Sequence, residues 1–238
     1  GAPLPAGADA VVMQEDTSRD GETVEIRQSV PAGKFIRPTG MDFKTGDVLL
    51  SAGTLLDGRS IGLAAAMNHA WLTVRRRPRI AILSTGDEIV MPGDPLGPAQ
   101  IVGSNGPALV AMVNAAGGEA VHLGIARDSR DSLDAMIASA SGCDLLVTSG
   151  GASVGDYDLV QDALAGAGLS LGFHKIAMRP GKPLMFGDLH GVPVLGLPGN
   201  PVSAMVCAIL FLDPMIRAML GRPTETPAMT ARLGRDLP

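Results

Sequence analysis

Aromatic side chains are scarce in this chain: one Trp, one Tyr and five Phe make up 3% of 238 residues. Together with a formal net charge of −5, that scarcity argues against a nucleic-acid surface, which needs a basic stripe and stacking rings. Cysteine is scarcer still. Cys143 and Cys207 sit in apolar surroundings without CxxC spacing, the pattern of small buried thiols in a reducing compartment rather than of a disulfide or a zinc site. The four histidines, His69, His122, His174 and His190, form neither HxxxH nor HExxH, so histidine-based metal ligation has little support. No run of about 18 uninterrupted apolar residues appears, and the N-terminus lacks the charged-then-apolar order of a signal peptide. The expectation is a cytoplasmic protein with no membrane partner. The chain begins without Met in a loop-like stretch and stops at "TARLGRDLP" as a new strand pattern begins, so a fragment truncated at both ends is expected.

What remains is ordinary globular composition, 46% hydrophobic and 18% charged, enough for one or two domains. "ADAVVMQED" and "ETVEIRQS" read as a hairpin joined by a turn at Ser18 to Gly21, with alternation at Val24 and Ile26. From Pro31 to Asp57 the chain is dense in Gly and Pro, which suits a small β module. Residues 58 to 70 are predicted as a helix capped by Asp57, with Ile61, Leu63, Ala64 and Met67 on one face. "RRRPR", residues 75 to 79, reads as a solvated strand lead-in.

After Arg77 apolar strand-like runs alternate with helical segments: "RIAILST", "GPALVAMVNAAGG", "EAVHLGIA", "SRDSLDAMIASAS", "DLLVTSGG", "DYDLVQDALAGAG". Strands that are apolar throughout and followed by amphipathic helices indicate a mostly parallel sheet covered on both faces. Residues 77 to 222 are therefore predicted as a three-layer α/β/α domain, preceded by partial β-rich modules. A long apolar helix, entered through Pro201 and disturbed at Pro214, closes it.

Open sheets of this type bind ligands beyond the carboxyl ends of their strands. "STGDE" follows the first strand, "RD" the second and "TSGGASVGDYD" the third, delivering Asp87 and Glu88, then Asp128, then Asp156 and Asp158 to one edge. The Gly/Ser turn suits a phosphate cradle, because backbone N–H groups and a helix N-terminus can approach an anion closely. It is neither a Walker loop nor GxGxxG. A plain glycine turn with Asp156 as helix cap explains the same segment equally well, and Asp158 is favourable in a first turn for local reasons alone. Carboxylates beside a phosphate imply a hard divalent cation, Mg²⁺ first. "RPGKP" adds Arg179 and Lys182, although Lys182 taken alone reads equally as a surface charge, and "LPGNPVS" adds a second proline-framed turn where Asn200 or Ser203 caps the helix or donates to an oxyanion.

"STGDE", "SNGPAL", "GIARD", "TSGGASVGDYD", "RPGKP" and "GLPGNPVS", in this order, resemble the molybdopterin molybdotransferase family, MoeA and the C-terminal domain of gephyrin. "GAPLPAGADAVVMQED" and "IRPTGMDFKTGDVL" extend the resemblance over essentially the whole chain. The resemblance implies the end of domain II at residues 1 to 30, part of the extended domain I at 31 to 76, a MogA-like domain III at 77 to 222 and the start of β-barrel domain IV at 223 to 238. It also implies insertion of molybdate into adenylylated molybdopterin with Mg²⁺-dependent loss of AMP, Zn²⁺ being the alternative ion.

By the same resemblance Glu88, Asp128 and Asp158 are the catalytic candidates. Glu88, Asp156 and Asp158 would hold metal or the hydrolytic water, with substrate orientation as the other role for Asp128. Thr85, Gly86, Asp87, Ser104, Asn105, Ser149, Gly150, Gly151, Ser153, Gly155, Pro198, Gly199 and Asn200 would contact the pterin nucleotide; Arg179, Lys182, Pro183 and Ser203 would hold molybdate. Arg179 stands where many members carry lysine, and Ala152 replaces a common valine. Implied partners are a second copy of the chain, whose domain II would line the cleft, and a molybdopterin adenylyltransferase. Molybdopterin adenylyltransferase activity and a non-catalytic scaffold are the alternative readings; without the further domains, the fragment is expected to bind more readily than it turns over.

Overall fold

The computed structural model describes residues 2–151, 159–225, 229–232 and 234. The chain divides into two compact units, Gly1–Ser51 and Ala52–Pro238. In the first, strands β1 (Thr17–Asp20) and β2 (Thr23–Ile26) pair antiparallel with Thr17 opposite Ile26. The hairpin expected from sequence is present, but its turn is Gly21–Glu22; of the residues read as the turn, Gly21 belongs to it and Ser18, Arg19 and Asp20 are in β1. Gly21 explains the shift: its φ of +57° supplies the left-handed conformation a two-residue hairpin turn demands. "ADAVVM" is not strand; only a short 3₁₀ turn, Gln14–Asp16, precedes β1.

The second unit opens with α1 (Gly58–Ala66), where the Asp57 carboxylate accepts the Ser60 N–H at 2.8 Å, the predicted cap. That bond draws the Asp57 pKa below its ordinary value. The helix ends four residues earlier than expected, because Asn68 turns left-handed (φ +64°) and the His69 N–H returns to the Ala64 carbonyl.

Strands β3 (Arg79–Thr85), β4 (Ile89–Val90) and β5 (Ile101–Val102), helix α2 (Asn105–Ala116), β6 (Glu119–Ala126), α3 (Arg130–Ala138), β7 (Leu145–Ser149), α4 (Leu159–Gly166), β8 (Leu169–His174), β9 (Met185–Leu189) and β10 (Val192–Leu197) follow in order. The main sheet runs β6-β3-β7-β10-β9-β8. Its first four strands are parallel, whereas β9 is antiparallel to both β10 and β8. The antiparallel pair at the β8 edge has no counterpart in the sequence reading. β8 is largely exposed, as an edge strand is, so it lacks the continuous apolar run that betrays the buried parallel strands.

Alternation along each strand divides the core between the two faces. Ile80, Ile82, Leu145, Val147, Leu195 and Leu197 pack with α2 and the C-terminal helix on one side; Ala81, Leu83, Leu146 and Val194 pack with α3 and α4 on the other. This is the expected three-layer α/β/α arrangement. The last helix comprises α5 (Pro201–Cys207), a π-helical stretch at Ala208–Leu212 and α6 (Asp213–Met219). Pro214 can donate no N–H to the preceding turn, and the wider π turn immediately before it is where the predicted disturbance falls. Pro201–Met219 is long and apolar enough to cross a membrane by length and composition, with 19 residues and a mean hydropathy of 1.7. Its inner stripe, Ala204, Cys207, Ala208, Leu212 and Ile216, is fully buried within the α/β/α core.

Candidate functional site

Parallel pairing brings the carboxyl ends of four strands level: Ser84 lies opposite both Ser149 and Ile125, Thr85 opposite Ala126, and Leu197 opposite Ser149. The loops that leave these ends are stitched sideways. The Gly86 N–H donates to the Ala126 carbonyl at 3.2 Å, and the Gly150 N–H to the Leu197 carbonyl at 3.3 Å. The sequence motifs after β3, β6, β7 and β10 therefore share one edge, as expected from a doubly wound sheet.

Acidic residues line its β3–β6 portion. Asp87 and Asp128 hold each other's loops: the Asp87 N–H donates to Asp128 Oδ2 at 3.4 Å, and the Asp128 N–H to Asp87 Oδ1 at 3.3 Å. Arg127 lies 3.9 Å from the Asp87 carboxylate, both largely exposed. Glu88 is exposed, and its carboxylate folds over Gly86 so closely that a Cβ there would sit 2.5 Å from an oxygen. Gly86, at φ +137°, is favoured by its backbone conformation, while the exposed Glu88 carboxylate could swing away from a side chain there.

The centre of the edge is the glycine turn after β7. Gly150 (φ +100°) packs on the Thr85 backbone, and Gly151 (φ +68°) on the Thr85 hydroxyl and Val160, so a side chain at either would collide. The Thr85 hydroxyl lies buried beneath this turn without a hydrogen-bond partner among the described residues, in a residue only 2% exposed. The Asn105 amide reaches across from the start of α2 to Ser149 Oγ at 2.9 Å and to the Gly199 carbonyl at 2.8 Å. Ser104, beside it, makes no side-chain cap to α2.

On the β10 side Pro198, Gly199 and Asn200 form the turn into α5. Asn200 is the cap, accepting the Ser203 N–H at 3.2 Å, and Ser203 Oγ donates to the same oxygen at 3.4 Å. The 179–183 loop joins β8 to β9 at this same edge, since β9 begins at Met185 opposite Gly196. Its Arg179–Pro180 peptide is cis. Gly181 is buried against Cys207, whose thiol points at the Gly181 carbonyl from 3.8 Å. Burial pushes the Cys207 thiol pKa up, so it serves as an inert wedge under the loop. That supporting role was not legible in sequence, where only an apolar context marked it. Arg179 and Lys182 are exposed and make no side-chain hydrogen bond or ion pair among the described residues; Pro183 follows, half-buried.

The structure thus brings together Thr85, Gly86, Asp87, Glu88 and Asp128, then Asn105, Ser149, Gly150, Gly151, Pro198, Gly199 and Asn200, with Ser203 in the first turn of α5 and Arg179, Lys182 and Pro183 on the loop that packs against that helix. Ser153, Gly155, Asp156 and Asp158 lie outside the described residues, as does Ala152. Two of the three predicted metal ligands are among them, and the described residues contain no group of three or more His, Cys, Asp or Glu side chains able to hold an ion.

A cavity of about 480 Å³ lies elsewhere, lined by Arg130, Asp134, Ile137, Leu146, His190 and Val192 among others. Leu146 and Val192 stand at the amino-terminal ends of β7 and β10. None of the predicted site residues lines it, so this cavity and the convergent chemistry are on different parts of the sheet. Polar side chains, and charges without partners among the described residues, gather at the carboxyl edge, whereas the cavity's Arg130 pairs with Asp134 at 2.7 Å.

Comparison with known proteins gives the same direction. Residues 81–218 match the family described as "Probable molybdopterin binding domain", and residues 1–68 match "MoeA N-terminal region (domain I and II)". A molybdopterin molybdenumtransferase of Nostoc sp. is 41% identical over 93% of this chain and 52% of its own length. Molybdopterin molybdenumtransferase 2 of Mycobacterium tuberculosis is 40% identical over 98% of this chain and 60% of its own. The crystal structure of a molybdopterin biosynthesis MoeA protein from Pyrococcus horikoshii superposes with a TM-score of 0.80 at 38% identity, covering 93% of this chain and 56% of that one. The chain spans a little over half the length of the relatives it matches.

Proposed function

This chain belongs to the probable molybdopterin binding domain family, and from that premise we propose that it is the substrate-binding part of a molybdopterin molybdotransferase. In this reading the carboxyl edge of the sheet receives adenylylated molybdopterin and molybdate, molybdate enters the dithiolene, and the phosphoanhydride is cleaved to release AMP. The observation that carries the proposal is charge placement. Arg179 and Lys182 are cations without a partner among the described residues, on a proline-framed loop at the same sheet edge as a glycine turn whose backbone could approach an anion.

Each group then has a task. The Gly150–Gly151 turn, held down on Thr85 and Val160 with no room for a side chain between, would present its backbone to a pyrophosphate. Arg179 and Lys182 offer N–H donors to a tetrahedral dianion, the Arg as a planar fork and the Lys as a point charge. Glu88 and Asp128 present carboxylates across the β3–β6 loops, where Glu88 would orient the attacking water and Asp128 the substrate. Hard carboxylate oxygens suit Mg²⁺, and Glu88 with Asp156 and Asp158 would hold it; such an ion would neutralise phosphate charge.

The test is AMP release from adenylylated molybdopterin, with and without molybdate and Mg²⁺, in a protein carrying this chain together with the additional segments its relatives possess. Molybdate-stimulated release, reduced at least a hundredfold by Asp158→Asn or Glu88→Gln, is the expected result. Adenylylation of molybdopterin with no molybdate-dependent release would instead favour the adenylyltransferase reading. Full activity in both variants would remove the carboxylates from the chemistry.

A further inference from the structure

Asn105 reaches from the start of α2 to the ends of both β7 and β10 at this edge. It is the first residue of α2, and its amide faces two acceptors, Ser149 Oγ at 2.9 Å and the Gly199 carbonyl at 2.8 Å. A backbone carbonyl can only accept, so the nitrogen end of the amide must point at it, and the orientation of this side chain is fixed by its partners. Both amide hydrogens are thereby committed, leaving only the carbonyl oxygen of Asn105 for any other contact. Ser149 is 3% exposed, and its Oγ also lies 3.5 Å from the Pro198 carbonyl. The bridge is therefore anchored in the core rather than in solvent.

The first of the two turns it joins has little stiffness of its own. Gly150 and Gly151 both have positive φ, at +100° and +68°, and glycine loses more conformational freedom on ordering than any other residue. Beyond the Asn105 bridge the turns are held by the Gly150 N–H on the Leu197 carbonyl, at a long 3.3 Å, and by backbone contact, a Cβ on Gly199 lying 3.5 Å from the Gly150 Cα. An anion that uses both turns would otherwise have to order them when it binds.

We propose that Asn105 is a positioning residue: its amide locks the Gly150–Gly151 turn to the Pro198–Gly199 turn, so that the cradle is rigid before substrate arrives. The effect on substrate rests on the function proposed above. The lock itself does not, because it can be read in the free protein.

The experiment compares Asn105→Asp, Asn105→Ala and Ser149→Ala with the parent by amide hydrogen exchange and by affinity for adenylylated molybdopterin. Asn105→Asp is close to isosteric but turns a donor into an oxygen facing the Gly199 carbonyl, so it separates the lock from mere packing. Exchange at Gly150 should accelerate about tenfold in both Asn105 variants, while Ile82 and Val147 in the sheet stay unchanged. KM should rise about tenfold with kcat within about threefold. Ser149→Ala should give a smaller rise, and adding it to Asn105→Ala should give no more than Asn105→Ala alone. Unaltered exchange at Gly150 in Asn105→Asp overturns the lock. Weakened affinity without faster exchange also overturns it, making Asn105 a direct ligand. Should the parent not bind the pterin nucleotide at all, the proposed function fails, and the exchange data still decide the lock.

Discussion

The two edges of the main sheet treat charge in opposite ways. At the amino-terminal edge charges are consumed. Asp144, just before β7, takes a bidentate pair from Arg76 at 2.6 and 2.5 Å and the Arg79 N–H at 2.7 Å, and Arg79 lies 3.5 Å from Glu119 at the start of β6. These bonds splice the lead-in of β3 to its neighbours on both sides. At the carboxyl edge Glu88, Arg179 and Lys182 are left exposed and without side-chain partners among the described residues. Exposed charge without a partner adds little to stability and is available for binding, so the first edge holds the fold and the second is where we propose that the ligand binds.

Substitutions should separate these two economies. Replacing Arg179 and Lys182 together by Ala should weaken molybdate binding about a hundredfold, measured by calorimetry, while the unfolding free energy stays within about 0.5 kcal/mol. A matching loss of stability would merge the two edges and break the comparison. Gly150→Ala should cost both properties: it forces a side chain at φ +100° onto the Thr85 carbonyl, and a destabilisation of about 2 kcal/mol in urea unfolding is expected, together with loss of pterin-nucleotide binding.

Asp144→Ala is the converse of the cation pair. It should lower stability by about 1 kcal/mol at pH 7 and leave ligand affinity unchanged. The Arg76 guanidinium, above all, holds the Asp144 carboxyl below its ordinary value of 3.8. The contribution is therefore complete above that value and is lost as pH falls through the lower folded-state pKa. The stability gap between parent and variant should close below a pH of about 4, and a gap that instead widens there contradicts the assignment. Arg127→Ala, which removes only an exposed contact at 3.9 Å, should change stability by less than about 0.5 kcal/mol.

Much of this was legible because buried parallel strands and their helices write strong periods. The runs at β3, β6 and β7, the Asp57 cap and the Pro201 entry all fall where the pattern placed them. The failures have physical causes. The hairpin turn shifted because Gly21, not Ser18, can supply positive φ, and the β8–β9 edge escaped because exposed strands carry no apolar signature. "RRRPR" read as solvated charge, and only contact with Asp144, 68 residues from Arg76, gives it a structural role. At the site, residue types and strand ends placed the candidates on one edge, and the described ones lie together there. That Asn105 ties loops together, and that Cys207 props the 179–183 loop, depends on contacts across 44 to 94 residues for the first and 26 for the second, which no local pattern encodes.

The most direct measurement is an amide chemical-shift map of the ¹⁵N-labelled chain titrated with adenylylated molybdopterin and then molybdate. The account predicts that shifts concentrate at residues 85–88, 128, 149–151, 179–183 and 198–203, with molybdate adding most at Lys182 and Arg179. Shifts centred instead on the cavity around Arg130, Asp134 and His190, or along the Arg76–Asp144 edge, would contradict it.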